Sequence, residues 1–543
     1  MKPTLMPAIP LTVLGLFVAA CGPTPPSGSP IPSTPSTVAS ASPQTPTATL
    51  IPYDPPDWFQ EAVLYEIFVR SFADANGDGI GDLNGITEHL DHIQNLGATA
   101  IWLTPIYPSP SVHGYDVTDY FAVRPEYGTR ADLQVLVEAA HARGLRLILD
   151  FVPSHLSNLH PFFQDALGNP GSAYSDWFLW TNAAHTTYAS FAGLSGMPRF
   201  NHHNPEVVDY LSEAALSWLD LDDDGDYQDG VDGFRVDNVV FPPREFLEAL
   251  RQRIKAVNPS ALLLGEAWVD RARYLAGYFD EEFDALFDFP LYHIVQGDPE
   301  FNGDGVLAGE GFPPLLTSLF GDEAEMFPAQ AMLVRFFSNH DTNRIATELS
   351  GDPARLRLAA ALLATLPGPV MVYYGEEIGM LGEKGGPPAW DNYRREPMDW
   401  YASQAGPSQT TWFRPDDRWN LPSDGISVEE EAADPESLLN YYRQVLGLRR
   451  EHPALSQGDL VPLDLQPLAS RTWGIVLSSG SETLVGLFNF ADSPQEVSVS
   501  AFPLSAQWLR DLLSGQLVPG PSADGTFSLS LPPAAALILA AAD

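Results

Sequence analysis

The feature that most restricts this chain is a recurrence. Short apolar runs rich in β-branched residues alternate with stretches of helical periodicity, eight times between Val63 and Tyr374. They predict strands at Val63–Val69, Ala100–Thr104, Leu145–Phe151, Gly233–Val236, Leu262–Glu266, Asp284–Phe289, Leu333–Ser338 and Val370–Tyr374. Strands separated by helices pair in parallel, and eight of them close into a (β/α)8 TIM barrel of the α/β class. One helix should start at Thr129, with Asp132 three residues on. It carries Leu133, Leu136, Val137 and Ala140 on one face and stops at Gly144. Asn204-Pro205 marks another helix start. An open doubly wound sheet is the alternative, but no glycine-rich dinucleotide loop follows the first strand to favour it.

The stretch from Pro153 to Asn204 is long for a βα connection and holds Trp177, Phe178 and Trp180. It predicts a short excursion domain over residues 153–204, after the third strand. A helix over Pro435–Arg450 should close a barrel unit spanning residues 57–454. Beyond Leu455 the pattern changes to short apolar or alternating runs: Thr472–Leu477, Leu484–Phe490 and Ala535–Ala540. These predict a C-terminal all-β sandwich over residues 455–543.

The N-terminus reads differently. Met1 and Lys2 precede an apolar run, Leu11–Ala20, too short for the ~20 residues that span a bilayer. The run ends Val18-Ala19-Ala20-Cys21, which resembles a bacterial lipoprotein signal over residues 1–21, cut before a lipid-bearing cysteine. Residues 22–56 contain eleven prolines and one charge, Asp54, so they should form an extended Pro/Ser/Thr-rich tether. The expectation is an exported, cell-surface or periplasmic lipoprotein, held at a bacterial membrane through Cys21.

Charge narrows the partners. Against 70 Asp+Glu stand 28 Lys+Arg, three of them lysines, for a net charge of −42. Nucleic acid needs a basic surface and is excluded as a partner. The single cysteine excludes disulfides within the chain and any cysteine-based zinc cage. Oligomeric state leaves no signature in the sequence.

Barrel enzymes carry their chemistry at the C-terminal ends of the strands. Four predicted strands end in or just before acids: Asp150, Asp237, Glu266 and Asp341. Any one could be a helix cap. Four on one rim, with Arg235 two residues before Asp237 and with His155 and His340 close by, are hard to explain structurally. Crowding buried carboxylates raises at least one pKa, which keeps an acid protonated for proton donation. Paired carboxyl groups flanking a bond are the equipment of glycoside hydrolysis.

The segments Asp150-Phe-Val-Pro-Ser-His155, Gly233-Phe-Arg-Val-Asp237, Gly265-Glu-Ala-Trp268 and Ser338-Asn-His-Asp341 resemble the four signature regions of the α-amylase family of glycoside hydrolases. Gly114–Tyr120, Met197–Val207 and Tyr374–Gly379 match as well. The resemblance runs from about Trp58 to the C-terminus and implies roles. Asp237 corresponds to the nucleophile and Glu266 to the general acid and base. Asp341 corresponds to the carboxylate that binds sugar hydroxyls and stabilises the transition state. Arg235 would hold Asp237 ionised, His155 and His340 would donate to the sugar, and Tyr115 would be the platform beneath it. Retention through a covalent intermediate implies carboxyl groups ~5–5.5 Å apart. The chain departs from the family pattern at Ser154 and Arg199, which argues against a calcium ion between barrel and excursion domain, and at Asn238, where the family's small or apolar residue and its help with linkage specificity are lost.

The loop Asp74–Asp82 places oxygen donors at alternate positions: Asp74, Asn76, Asp78, the Ile80 carbonyl and Asp82. Gly85 stands where an EF-hand has its bidentate Glu, so this is not an EF-hand. It resembles the metal loop of glucosidase-like family members and implies structural Ca2+, with a solvated acidic turn as the competing reading. Asp220, Asp222, Asp224 and Asp226 form a second candidate, for which a solvated loop is the competing reading.

For substrate, the Gln409–Trp412 and Ile426–Glu430 stretches resemble a bacterial α-amylase branch that includes secreted lipoproteins. That implies α-1,4 cleavage of starch or maltooligosaccharides. Asp116 and Arg395 instead resemble the pair that closes the pocket behind a terminal glucose in exo-acting α-glucosidases. Cyclomaltodextrinase or glucosyl transferase action is a further alternative. A non-catalytic glycan-binding lipoprotein would be expected to lose one of the three acids, and all remain.

Overall fold

The computed structural model describes residues 55–279, 282–298, 303–309, 311–467 and 471–542. The signal and almost all of the tether lie outside the described residues. Eight parallel strands form one sheet: β1 Val63–Ile67, β2 Ala100–Leu103, β3 Arg146–Phe151, β4 Gly233–Val236, β5 Leu262–Gly265, β6 Ala285–Phe287, β7 Met332–Val334 and β8 Val370–Tyr373. The sheet runs β8-β1-β2-β3-β4-β5-β6-β7. It closes between β7 and β8 through a single bridge, Arg335 to Val370. The Arg335 N–H donates to Pro369 O at 2.9 Å and Met371 N–H to Arg335 O at 2.9 Å. The chain is therefore a (β/α)8 barrel.

Several predicted strands are too long, for local reasons. Phe289 belongs to a helix, Phe289–Val295, whose N-cap Asp288 accepts from Leu291 N and whose first turn holds Pro290. Val69 likewise opens the short helix Val69–Phe72. The helix over Arg130–His141 has the expected reciprocal cap between Thr129 and Asp132, worth about 1 kcal/mol. Asn204 caps Pro205–Leu219, and Leu438–Glu451 packs near the end of the barrel.

Strand alternation sorts the core. Leu64, Ala100, Trp102, Ile148, Leu262, Leu264, Ala285, Phe287, Val334 and Met371 fill the barrel interior as one cluster. Their neighbours in sequence, among them Tyr65, Ile101, Leu149, Phe234 and Leu263, face the helices. Between β3 and Pro205–Leu219 the chain forms a small aromatic excursion, with Phe163, Phe178, Trp180 and Tyr188 packed edge to face or stacked.

The C-terminal region holds a six-stranded antiparallel sheet and a two-stranded one, which pairs Gln495–Val499 with Phe527–Leu531. A separate apolar cluster including Val485, Leu487, Val497, Phe527 and Leu539 lies between them. This all-β region docks on the barrel helix Pro314–Met326. Trp473 stacks on Phe320 at 5.6 Å, its indole N–H donates to Thr317 at 3.2 Å, and Arg335 lies over the Phe320 ring at 5.1 Å.

Candidate active site

Strand parity delivers the rim. Interior positions Leu64, Ile148 and Leu264 are followed two residues later by Glu66, Asp150 and Glu266; Phe234 faces out, so Arg235 and Asp237 face in. The parallel register sets Asp150 beside Arg235, and Val236 beside Gly265. Asp237 and Glu266 are tied down immediately beyond their strands, by Asp237 N–H to Phe151 O at 2.8 Å and Glu266 N–H to Val236 O at 3.0 Å.

Arg235 is the hub. Its Nη1 lies 2.9 Å from Asp150 Oδ1 and 2.9 Å from Asp237 Oδ1, and its Nη2 lies 2.6 Å from Glu266 Oε1. Trp102 and Tyr115 lie against the guanidinium at 5.2 and 5.6 Å. One cation faces three carboxylates, so negative charge is left over. Burial, reinforced by Glu266 and Asp150 and opposed by Arg235, pushes the Asp237 carboxyl well above its ordinary range. Burial likewise lifts Asp150 to about 6 against the pull of Arg235. Arg235 acts in the direction expected of it, towards the ionised form of Asp237, but its guanidinium is shared among three carboxylates.

His340 organises the other side. Its Nδ1 lies 2.6 Å from Glu66 Oε1, and its Nε2 lies 3.1 Å from Asp341 Oδ2 and 2.6 Å from the Tyr115 hydroxyl. Tyr115 stacks on the imidazole at 5.4 Å and donates to Asp150 Oδ2 at 2.9 Å. Burial alone would lower the His340 pKa, but Asp341 and Glu66 raise it to about 10. The imidazole is therefore a cation at neutral pH. Burial opposes ionisation of Asp341, yet His340 and Arg395 hold its carboxyl well below the usual range. Arg395 donates to Asp341 Oδ1 at 2.6 Å and to His340 O at 2.8 Å.

Several buried polar atoms here have no partner among the described residues, among them Asp237 Oδ2, Glu66 Oε2, Asn238 Oδ1 and His155 Nε2. His155 Nδ1 contacts Ser154 Oγ at 2.6 Å. Burial lowers the His155 pKa to about 3, so its ring is neutral at neutral pH. Native proteins satisfy such groups, and a polyhydroxylated ligand would do so here.

The family model for the alpha amylase catalytic domain matches residues 66–458. The chain belongs to the alpha-amylase family. It is 36% identical over 427 residues to Alpha-amylase 3 of Dictyoglomus thermophilum, covering 75% of this chain and 81% of that one. To a cyclomaltodextrinase of Bacillus sp. it is 30% identical over 436 residues, covering 75% and 68%. The crystal structure of alpha-amylase from H. orenii superposes with a TM-score of 0.76 at 33% identity, covering 89% of this chain and 100% of that chain. The protein is thus a glycoside hydrolase.

Within this alpha-amylase family member the remaining candidates separate. Asp116 Oδ1 accepts from Ser109 at 2.5 Å and from Ser111. Arg395 is turned to Asp341 instead, and no ion pair joins it to Asp116. Glu66, Trp102 and His113, whose Nδ1 accepts from Tyr115 N–H at 3.1 Å, are members of the site that sequence reasoning missed, and Asn238, read there only as a departure from the family pattern, joins them. Asn238 has φ +42°, a left-handed conformation that asparagine tolerates, and its N–H donates to Glu266 Oε2 at 3.0 Å. The signal was its place directly after Asp237.

In the Asp74–Asp82 loop the side-chain oxygens bind backbone N–H groups. Asp74 accepts from Gly77 at 2.6 Å and Gly79 at 2.7 Å, Asn76 from Asp78 at 2.9 Å, Asp78 from Ile80 at 2.8 Å, and Asp82 from Gly85 at 2.7 Å. Asp220, Asp222 and Asp224 form the one trio of acidic groups, among the described residues, with ligand oxygens all within 4.8 Å of one another. Asp226 Oδ1 accepts from Gln228 N at 3.0 Å.

Proposed function

We propose that this glycosidase is a retaining α-amylase that cleaves α-1,4-glucosidic bonds inside starch or maltooligosaccharides. The carrying observation is the convergence of Asp237, Glu266 and Asp341 around Arg235 and His340, with Asp237 Oδ2 unpartnered. In the first step that oxygen attacks the anomeric carbon while Glu266 protonates the departing glycosidic oxygen, giving a glycosyl-Asp237 ester. Glu266 then takes a proton from water, the water oxygen bonds to the same carbon, and the ester bond to Asp237 breaks. Asp341, ionised and held by His340 and Arg395, binds sugar hydroxyls and offsets the positive charge that develops on the ring.

Internal cleavage needs room for glucose units beyond the acid. A cavity of about 900 Å³ is lined by Trp268, two residues beyond Glu266, together with Arg271, Tyr274, Asp322 and Met326. The exo alternative is favoured by the presence of Asp116 and Arg395, but the serines that hold Asp116 leave no ion pair to close a pocket. A maltoheptaoside blocked at its non-reducing end tests this: internal fragments are expected, and complete resistance would overturn endo action. Glu266→Gln should abolish hydrolysis while binding persists; surviving activity would refute the acid assignment.

The Asp74–Asp82 loop is proposed to hold a structural Ca2+, with Asp74, Asn76, Asp78, Asp82 and the Ile80 carbonyl as donors. An all-oxygen donor set suits this ion. Asp220, Asp222, Asp224 and Asp226 are the second candidate site. Chelation should lower the melting temperature with the catalytic carboxylates intact, and an unchanged melting temperature would remove the ion from the account. Residues 1–21 are proposed to direct export and lipid anchoring through Cys21. Cys21→Ala should then release the protein from the membrane fraction, and retention there would refute the anchor.

A further inference from the structure

Where the excursion returns to the barrel, Arg199 touches two separate parts of the site. Its backbone bridges His155. The pairing is extended by Leu156 N–H to Pro198 O at 3.2 Å and Phe200 N–H to Ser154 O at 3.4 Å. Its side chain crosses in the other direction: Nη2 donates to Phe241 O at 3.0 Å, and the guanidinium lies over the Phe241 ring at 4.7 Å. Phe241 is four residues past Asp237. Its ring meets Phe191 edge to face at 5.6 Å, and Phe191 lies against the His155 imidazole at 4.5 Å. The contacts therefore form a closed circuit, Arg199 to Phe241 to Phe191 to His155 and back to Arg199.

The circuit surrounds the ring whose Nε2 is buried and unpartnered. Ser154 fixes only the opposite nitrogen. The Tyr115 backbone also interacts with the imidazole, and Phe191 lies against the ring at 4.5 Å, so the direction of Nε2 depends on both. Phe191 belongs to an excursion loop next to Ala192 at φ +47°; its backbone N–H donates to Met197 O at 2.9 Å, while its ring meets the Phe241 ring at 5.6 Å. The Arg199 Nε is buried without an acceptor, which leaves the Phe241 carbonyl and ring as the groups that hold the side chain.

We propose that Arg199 is a positioning residue for substrate binding: it clamps the excursion to the loop after Asp237, and through Phe241 and Phe191 it aims His155 Nε2 at the glucan. The inference rests on the glucan-hydrolase reading above.

The test uses the full chain and maltoheptaose. Arg199→Met keeps the length and apolar contact of the side chain but loses the hydrogen bond to Phe241. It should raise KM about tenfold, the loss expected of one hydrogen bond from a charged donor, with kcat reduced less than about twofold. Arg199→Lys, which restores a donor, should recover most of that loss. In a His155→Ala background Arg199→Met should add almost nothing to KM, because both changes remove the same contact. Unchanged KM in Arg199→Met would overturn the proposal. So would a KM effect that adds fully to that of His155→Ala, or one that only follows a fall in melting temperature. Asp237→Asn, assayed in parallel, keeps the two readings apart: its retained activity would refute the hydrolase mechanism, whereas the Arg199 outcomes bear on the clamp alone.

Discussion

Two arginines at the barrel strands gather buried carboxylates, and they do so to different ends. Arg235 meets Asp150, Asp237 and Glu266 at the rim. Arg335, where the barrel closes, meets Asp288 and Glu323. Composition and burial are alike. The difference lies in satisfaction of oxygens. Both Glu323 oxygens accept from Arg335 at 2.9 Å, while the two Asp288 oxygens are taken by Arg335 and by Leu291 N. At the rim, Asp237 Oδ2 has no partner and His155 Nε2 lies unpaired nearby in the same site. A cluster whose carboxylate oxygens are all taken, with only the Arg335 Nε lacking an acceptor, is a staple, whereas one with a carboxylate oxygen left over is prepared for a ligand.

The sharpest way to break this contrast is Asp237→Asn. Hydrolysis should fall roughly 10⁴-fold or more with little change in melting temperature; a stability loss instead would make the rim a staple too. Next comes Arg335→Met, which strands two buried carboxyl groups and should cost about 3–5 kcal/mol of stability. Thermal unfolding measures this, and the folded fraction should keep its kcat. A smaller effect is expected from pH. Burial lifts Glu323 to about 7 against the pull of Arg335. A carboxyl with a raised folded pKa favours the folded state when protonated, so this contribution is present below about pH 4.5 and is lost as pH rises towards about 7. Melting temperature against pH should therefore be flatter in Glu323→Gln than in the parent. The smallest effect is Asn238→Ala, which places an ordinary side chain at φ +42° and should cost about 1 kcal/mol. The Glu266 contact uses the backbone N–H, so activity should stay within about twofold.

Much of this was legible in the sequence because it is local. Two-residue alternation marked the strands, and acids at their ends marked the rim. The Thr129 and Asn204 caps lie within a few residues of what they cap. What escaped depends on distant partners. Glu66 reads as one polar residue inside an apolar run; its meaning comes from His340, 274 positions away. The division of Arg235 among three carboxylates needs the register of β3, β4 and β5 together. Asp288-Phe289-Pro290 did carry a helix-start signal, and the hydrophobic run obscured it. The Arg335 closure could not be read from periodicity, since it consists of one bridge beyond the end of β7.

The stack of Trp473, Phe320 and Arg335 has a consequence for how the molecule can be cut. The indole rests on the same ring that covers the guanidinium at the seam, and Glu323, which grips that guanidinium, lies one turn further along the same helix. Truncation before Thr472 would uncover Phe320 to water and loosen the residue that sews β7 to β8. The terminal module is then a buttress for the cylinder rather than a removable appendage, and a shortened enzyme should lose its shape before it loses its chemistry.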